Sequence, residues 1–181
     1  MTLGEGKRKV LMLLDEYSSG GTLTVDADME AKMNDFFDAA QRDVALWQPV
    51  VRRVSVTLDG SGSTALPQDV SRVLRVRRNG IRVSGYEVFD GKLISDAGDT
   101  SALALDYIAA LRPITPETAD DYEFEVSDEA ANCLPFFVAA QQLTADLVVD
   151  YGAFYSLYLQ MRGMLPRSTL CGSGVRQALY R

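Results

Sequence analysis

The residue types that most often carry out chemistry are sparse in this chain. Its 181 residues include no histidine. That removes the commonest general base, every Ser-His or Cys-His nucleophile, and the usual zinc ligand. No glycine pattern matches a phosphate loop or a dinucleotide fingerprint. Gly60, Gly62, Gly172 and Gly174 sit in Ser/Gly loops without the lysine that a phosphate cradle needs. Acids pair at Asp15/Glu16, Asp120/Asp121 and Asp128/Glu129. Adjacent side chains diverge on a helix and oppose each other on a strand, so these pairs are poor sites for a shared proton or metal. Asp26-Ala27-Asp28-Met29-Glu30 has the spacing of a calcium-loop fragment but lacks its glycine and terminal glutamate, and reads better as a helix cap. Cys133 and Cys171 make no disulfide framework; one reads as a small core residue and the other as an incidental thiol, in a chain kept in a reducing cytoplasm. The expectation is a protein that is not an enzyme, with no catalytic residues, cofactor or metal.

Arginines are the more informative group. Val73 to Val83 reads as a hairpin around Asn79-Gly80, the pair best able to supply two positive φ angles in a two-residue turn. Arg78 then faces Ile81, Arg77 faces Arg82 and Val76 faces Val83. One side of this hairpin carries Leu74, Val76, Ile81 and Val83, a core face. The other carries Arg75, Arg77 and Arg82, with two like charges directly opposite, which is destabilising unless anions lie nearby. Two readings stand side by side: an interface for an acidic neighbour or passing phosphates, or a cluster neutralised by Glu87 or Asp106 from adjoining strands.

The end of the chain is basic and Gly/Ser-rich. Arg167, Arg176 and Arg181 are spaced among Leu170, Val175, Leu179 and Tyr180, around Gly172-Ser173-Gly174. A frayed terminus is the plainer interpretation. The spaced apolar anchors favour a peptide arm that orders on a partner.

The elements that position these residues follow from periodicity. Val10, Leu14 and Tyr17 predict a helix over 5–17, ended by Ser18-Ser19-Gly20-Gly21. Met29, Met33, Phe36, Phe37, Ala40, Val44 and Trp47 trace one helical face over 28–47, stopped by Pro49. Val54, Val56 and Leu58 alternate as a strand before the loop at Asp59 to Ser63. A second hairpin turns at Asp90-Gly91, and Leu103, Leu105 and Tyr107 alternate in a further strand. Ser127 caps a helical region reaching Leu165, with weak points at Pro135 and Gly152. The expected fold class is α+β: a mainly α-helical bundle with an inserted small antiparallel β subdomain and an extended C-terminal tail. Residues 1–49 and 127–165 would form the bundle, 50–126 the β subdomain, and 166–181 the tail.

Composition is that of a globular chain, 47% hydrophobic and 24% charged, and large enough to bury a core without disulfides or metal. No apolar run approaches the ~20 residues that cross a bilayer, and Val10 to Leu14 is too short for a signal sequence. The net charge of −7 is unevenly spread. Val51 to Val83 holds seven arginines against Asp59 and Asp69, whereas Ser84 to Asp150 holds fourteen acids against Lys92 and Arg112. An acidic chain is a poor general nucleic-acid binder. Segregated signs point to copies or partners meeting plus to minus, unless the charges mix in space.

Three stretches in order resemble the head–tail connector, or adaptor, proteins of tailed bacteriophages. They are the helix Met33-Asn34-Asp35-Phe36-Phe37-Asp38-Ala39-Ala40-Gln41-Arg42-Asp43-Val44-Ala45 ending at Pro49; Leu66-Pro67-Gln68-Asp69-Val70 leading into Val73-Leu74-Arg75-Val76; and Leu134-Pro135-Phe136-Phe137-Val138-Ala139-Ala140 followed by Tyr151, Phe154, Tyr155 and Tyr158. The likeness spans about Met29 to Leu165 as a loose pattern of residue classes. It implies a homo-oligomeric ring, typically twelvefold, in the virion neck beneath the portal protein. A stopper, nozzle or tail protein would lie below, and genomic DNA would pass through the lumen. It also implies that the tail, Arg167 to Arg181, docks on the portal. Alternatives are a tail-completion or stopper protein of the same neck, or a small DNA-binding regulatory factor using the arginine face.

Overall fold

A computed structural model of the chain describes residues 1–14, 27–95, 100–143, 152–166 and 176–177. The chain divides into a helical unit, Met1–Gln48 with Leu111–Ser168, and a β unit, Pro49–Ala110, joined by the C-terminal pair Arg176–Gln177.

The β unit overturns the expectation of a mainly helical bundle with a small insert. It holds two four-stranded sheets, and the fold is α+β in the full sense. Its strands are β1 (Val51–Thr57), β2 (Ser63–Ala65), β3 (Val70–Arg78), β4 (Ile81–Val83), β5 (Tyr86–Phe89), β6 (Lys92–Ser95), β7 (Ala102–Ala109) and β8 (Arg176–Gln177). One sheet has the order β1-β7-β3-β4, the other β2-β6-β5-β8. All pairings are antiparallel except β5 with β8. Val73, Val76, Leu103 and Leu105 from the first sheet meet Tyr86 and Leu93 from the second, with Leu58, in one core. Each aliphatic side chain buried here contributes roughly 1.5–3 kcal/mol. Both two-residue turns take the left-handed backbone that their sequences favour: Asn79 and Gly80 at φ 49° and 80°, Asp90 and Gly91 at 47° and 67°. Ile81 departs from expectation. It is 72% exposed and is no part of a core face, because β4 ends the sheet.

The loop between β1 and β2 is built on Asp59. Its carboxylate accepts from the backbone N–H of Ser61 (2.9 Å) and Ser63 (3.0 Å) and from both hydroxyls. These donors, the Ser61 hydroxyl foremost, hold the carboxyl down to about pKa 2. A depressed carboxyl contributes stability above its ordinary range near 4 and loses it as pH falls through about 2. The amide signals of Ser61 and Ser63 should therefore titrate by NMR with a midpoint near 2, not near 4, and Asp59→Asn should remove that titration.

In the helical unit, α1 (Leu3–Leu13) begins earlier than the apolar spacing predicts. Thr2 caps it through a reciprocal pair: the Glu5 N–H donates to the Thr2 hydroxyl and the Thr2 N–H to the Glu5 carboxylate. Residues 15–17 of the expected helix lie outside the described residues. α2 (Ala27–Trp47) buries Met33, Phe37, Ala40 and Val44. The helical region expected over 127–165, as two helices or one bent helix, forms three pieces among the described residues: α3 (Asp128–Ala131), α4 (Leu134–Leu143) and α5 (Gly152–Met164). Ser127 caps the first of them by accepting from Ala130 N–H.

Residues 111–126, expected in the β subdomain, belong to the helical unit and are irregular. A stripe on α2 holds them. Asn34 donates to the carbonyls of Thr115 (2.9 Å) and Pro116 (3.2 Å). Asp38 accepts from Ile114 N–H (2.9 Å), and Gln41 accepts from Glu125 N–H (3.0 Å) while donating to the Tyr122 hydroxyl. Positions 34, 38 and 41 lie on one helix face, so a polar row replaces the strand ladder that this backbone lacks.

Close approach of α1 and α2 depends on Gly6. A Cβ there would lie 2.9 Å from Cζ of Phe37, a fully buried ring whose centroid lies 5.3 Å from that of Phe124, the two planes tilted by 39°. Gly6→Val should destabilise the helical unit by about 2–3 kcal/mol through overpacking. Gly6→Ala should cost less, since better helix propensity returns about 1 kcal/mol. Urea unfolding followed by the fluorescence of Trp47, the sole tryptophan, measures both.

Candidate binding face

The ladder sorts the arginines of the β unit by side. β1 alternates, with Arg52, Val54 and Val56 half-buried and Arg53, Ser55 and Thr57 exposed. Across the sheet, Arg53 pairs with Asp106, and Asp106 with Arg75; Ser55 pairs with Ala104, Ala104 with Arg77, and Arg77 with Arg82. The next row runs from Val51 through Ile108 to Arg72. The outer face of this sheet thus carries Arg53, Arg72, Arg75, Arg77 and Arg82 around one carboxylate.

Two irregularities in β3 make that possible. The pairing shifts between Val70 and Arg72 and again between Val73 and Arg75. Ser71 and Leu74 are therefore left without partners in the ladder, which is the signature of bulges. Strict alternation would put Arg72 on the face opposite Arg75. With the shift, both align with the outward row of β7, and Leu74 is buried all the same.

Asp106 is the counter-ion. It is only 7% exposed, and its two oxygens take Arg53 Nε at 2.5 Å and Arg77 Nε at 3.1 Å. The hydrogen bond from Arg53 holds its carboxyl below the usual range, against the opposing effect of burial. Arg77 also donates to the Gly80 carbonyl at 3.3 Å. Of the two readings of the arginine cluster, neutralisation therefore applies to Arg77. Arg72 and Arg75 form no ion pair among the described residues, and Arg72 and Arg82 are exposed. Arg53 and Arg77 thus share Asp106, while Arg72 and Arg75 stand on the same face with no ion pair among the described residues. Elsewhere in the unit, Arg52 meets Asp69 at 2.7 Å, Tyr107 donates to the same carboxylate, and Arg78 donates to the Tyr86 hydroxyl.

Of the basic tail, Arg167, Leu170, Val175, Leu179, Tyr180 and Arg181 lie outside the described residues. Arg176 does not: its backbone forms β8, in register with Glu87 of β5. At that position the tail is a strand added to a sheet edge and not a free extended segment.

The helical unit contains a cluster that periodicity did not reveal. Tyr158, fully buried, and Arg162 both donate to Oδ2 of Asp43. The Arg162 guanidinium lies over the rings of Trp47 (5.3 Å) and Tyr158 (5.5 Å). Burial first, then Asp43, pushes the Tyr158 phenol far above its ordinary range. Lys7 is likewise enclosed, bonded to Glu30 at 2.9 Å and Asp120 at 2.8 Å. It borders a cleft of about 620 Å³ also lined by Arg8, Met33 and Asp121. These spacings, 43 to 158 and 7 to 120, leave no local signal in the sequence.

Cys133 is buried, with its thiol pKa raised by burial and its Sγ against the Glu129 carbonyl, as suits a small core residue. Glu30, from the calcium-like fragment, serves Lys7. Cys171 and the pair Asp15/Glu16 lie outside the described residues. Among the described residues no group of three or more His, Cys, Asp or Glu is placed to hold a metal ion. No helix among them is long and apolar enough to cross a membrane. Neither models of known protein families nor curated protein sequences match the chain.

Proposed function

We propose that this chain is a structural assembly protein, a head-to-tail adaptor of a tailed bacteriophage. It would form a ring beneath the portal, join head to tail machinery in the virion neck, and conduct DNA through its lumen without catalysis. One observation carries the assembly part of this reading. α5 buries Tyr158 but exposes Tyr155, Leu157, Leu159 and Met164, the last at 82%. A helix that is apolar around most of its circumference is normally enclosed, and an exposed apolar surface of this kind marks a contact with another chain. The adaptor part rests on the sequence resemblance.

The test is co-sedimentation of the purified chain with the portal protein of the same phage, at low salt. The expected result is a shared fast-sedimenting peak, reduced at least tenfold by Leu157→Lys with Leu159→Glu. Failure to co-sediment, or a peak indifferent to those substitutions, counts against the proposal. The arginine face favours a second reading, a free DNA-binding factor. That reading requires salt-dependent retention of duplex DNA by the chain alone.

A further inference from the structure

We infer that the arginine face of one copy docks on the acidic segment 117–129 of a second copy, head to tail. This rests on the assembly reading above and names the partner of one of its surfaces. On the β unit, Arg53, Arg72, Arg75 and Arg77 share the outer side of the sheet with Asp106, and Arg72 and Arg75 form no ion pair among the described residues. In the helical unit, segment 117–129 holds seven carboxylates. Three are occupied: Asp120 by Lys7, Glu125 by Arg112 at 3.0 Å, and Asp128 by the N-terminal amine at 3.7 Å. Glu117, Asp121, Glu123 and Glu129 are exposed and have no basic partner among the described residues. The chain thus displays a basic surface short of anions and an acidic surface short of cations.

A second copy carries the same net charge of −7, but its acids at 117–129 are a local complement to this face, and such complementarity fixes partner and register. Because the two surfaces differ, the contact is heterologous. Such contacts either close into a ring or continue as a filament. The charges would set orientation and speed of encounter, and salt would screen them within ~3 Å at 1 M.

Sedimentation velocity of the full chain at low salt and in 1 M salt tests the inference, alongside two charge-reversed variants. One is Arg72→Glu with Arg75→Glu; the other is Glu117→Lys with Asp121→Lys. None of these four side chains forms an ion pair among the described residues, so the fold should survive, as far-UV circular dichroism would report. Wild type should associate at low salt and dissociate in 1 M salt. Each variant alone should lose association at least tenfold, and an equimolar mixture of the two should regain it, because each reversed surface meets its complement. Association insensitive to salt and to both reversals would overturn this docking and leave the assembly reading standing. A monomer at low salt that still binds portal would do the same. Loss of duplex-DNA retention on Arg72→Glu with Arg75→Glu, with self-association unchanged, would assign the face to nucleic acid and also overturn it.

Discussion

Asp43→Ala should lower the stability of the helical unit by about 2–3 kcal/mol. Oδ2 of Asp43 is the shared acceptor for Tyr158 and Arg162, and Tyr158 is fully buried. Removing the carboxylate strands a buried hydroxyl, a loss of roughly 1–3 kcal/mol. It also leaves Arg162 held over Trp47 and Tyr158 without its counter-ion, the larger part of what breaking a partly buried pair costs. Tyr158→Phe removes one donor and keeps the pair with Arg162, so it should cost only about 1 kcal/mol. The two changes share an acceptor and must be non-additive, with a coupling energy above about 0.5 kcal/mol in a double-mutant cycle. Trp47 sits against the cluster, and its fluorescence in urea reads the helical unit directly. Additive effects, or an Asp43→Ala cost below about 0.5 kcal/mol, would show that the cluster does not hold α5 to α2.

Asp106→Asn should destabilise the β unit by about 1–2 kcal/mol and raise its affinity for polyanions. The carboxylate is buried and bridges Arg53 on β1 to Arg77 on β3, with Arg75 opposite it in the ladder. An amide of the same shape can still accept one hydrogen bond, so the fold survives. Arg53 and Arg77 lose the anion that they share, and cross-strand repulsion is then uncompensated. The magnitude stays modest because the arginines are partly solvated. The sign with pH is definite. The folded-state pKa of Asp106 is depressed, so its contribution is present above the ordinary carboxyl value near 4 and is lost as pH falls below it. Hydrogen exchange of the β7 amides should show wild type converging on the variant as pH falls below about 4. Heparin retention at neutral pH should rise in Asp106→Asn. Equal exchange at pH 7 would remove Asp106 from the account of the sheet.

Much of the fold's local grammar is legible in the sequence alone. Asn79-Gly80 and Asp90-Gly91 specify their turns because few other residue pairs tolerate two positive φ angles. The stripe from Met33 to Val44 specifies α2, and Ser127 specifies a helix start. The Thr2-to-Glu5 capping box was also readable, though the apolar spacing alone placed α1 later. On the candidate face, Arg75, Arg77 and Arg82 followed from alternation. Arg53 could have joined them, since Val54 and Val56 put it on the outer side of β1. Arg72 could not, because a bulge has no period.

Turn chemistry, helix phase and charge segregation belong to neighbouring residues, and torsion preferences with side-chain spacing were sufficient to determine them. The size of the β unit, the second sheet that completes its core, and the choice of Asp106 and not Glu87 as counter-ion were decided only by tertiary structure. So were the polar row that fastens 111–125 to α2 and the meeting of Asp43 with Tyr158. Each joins residues far apart in the chain, and their register is set by which apolar faces pack together, a cooperative property that no single segment contains.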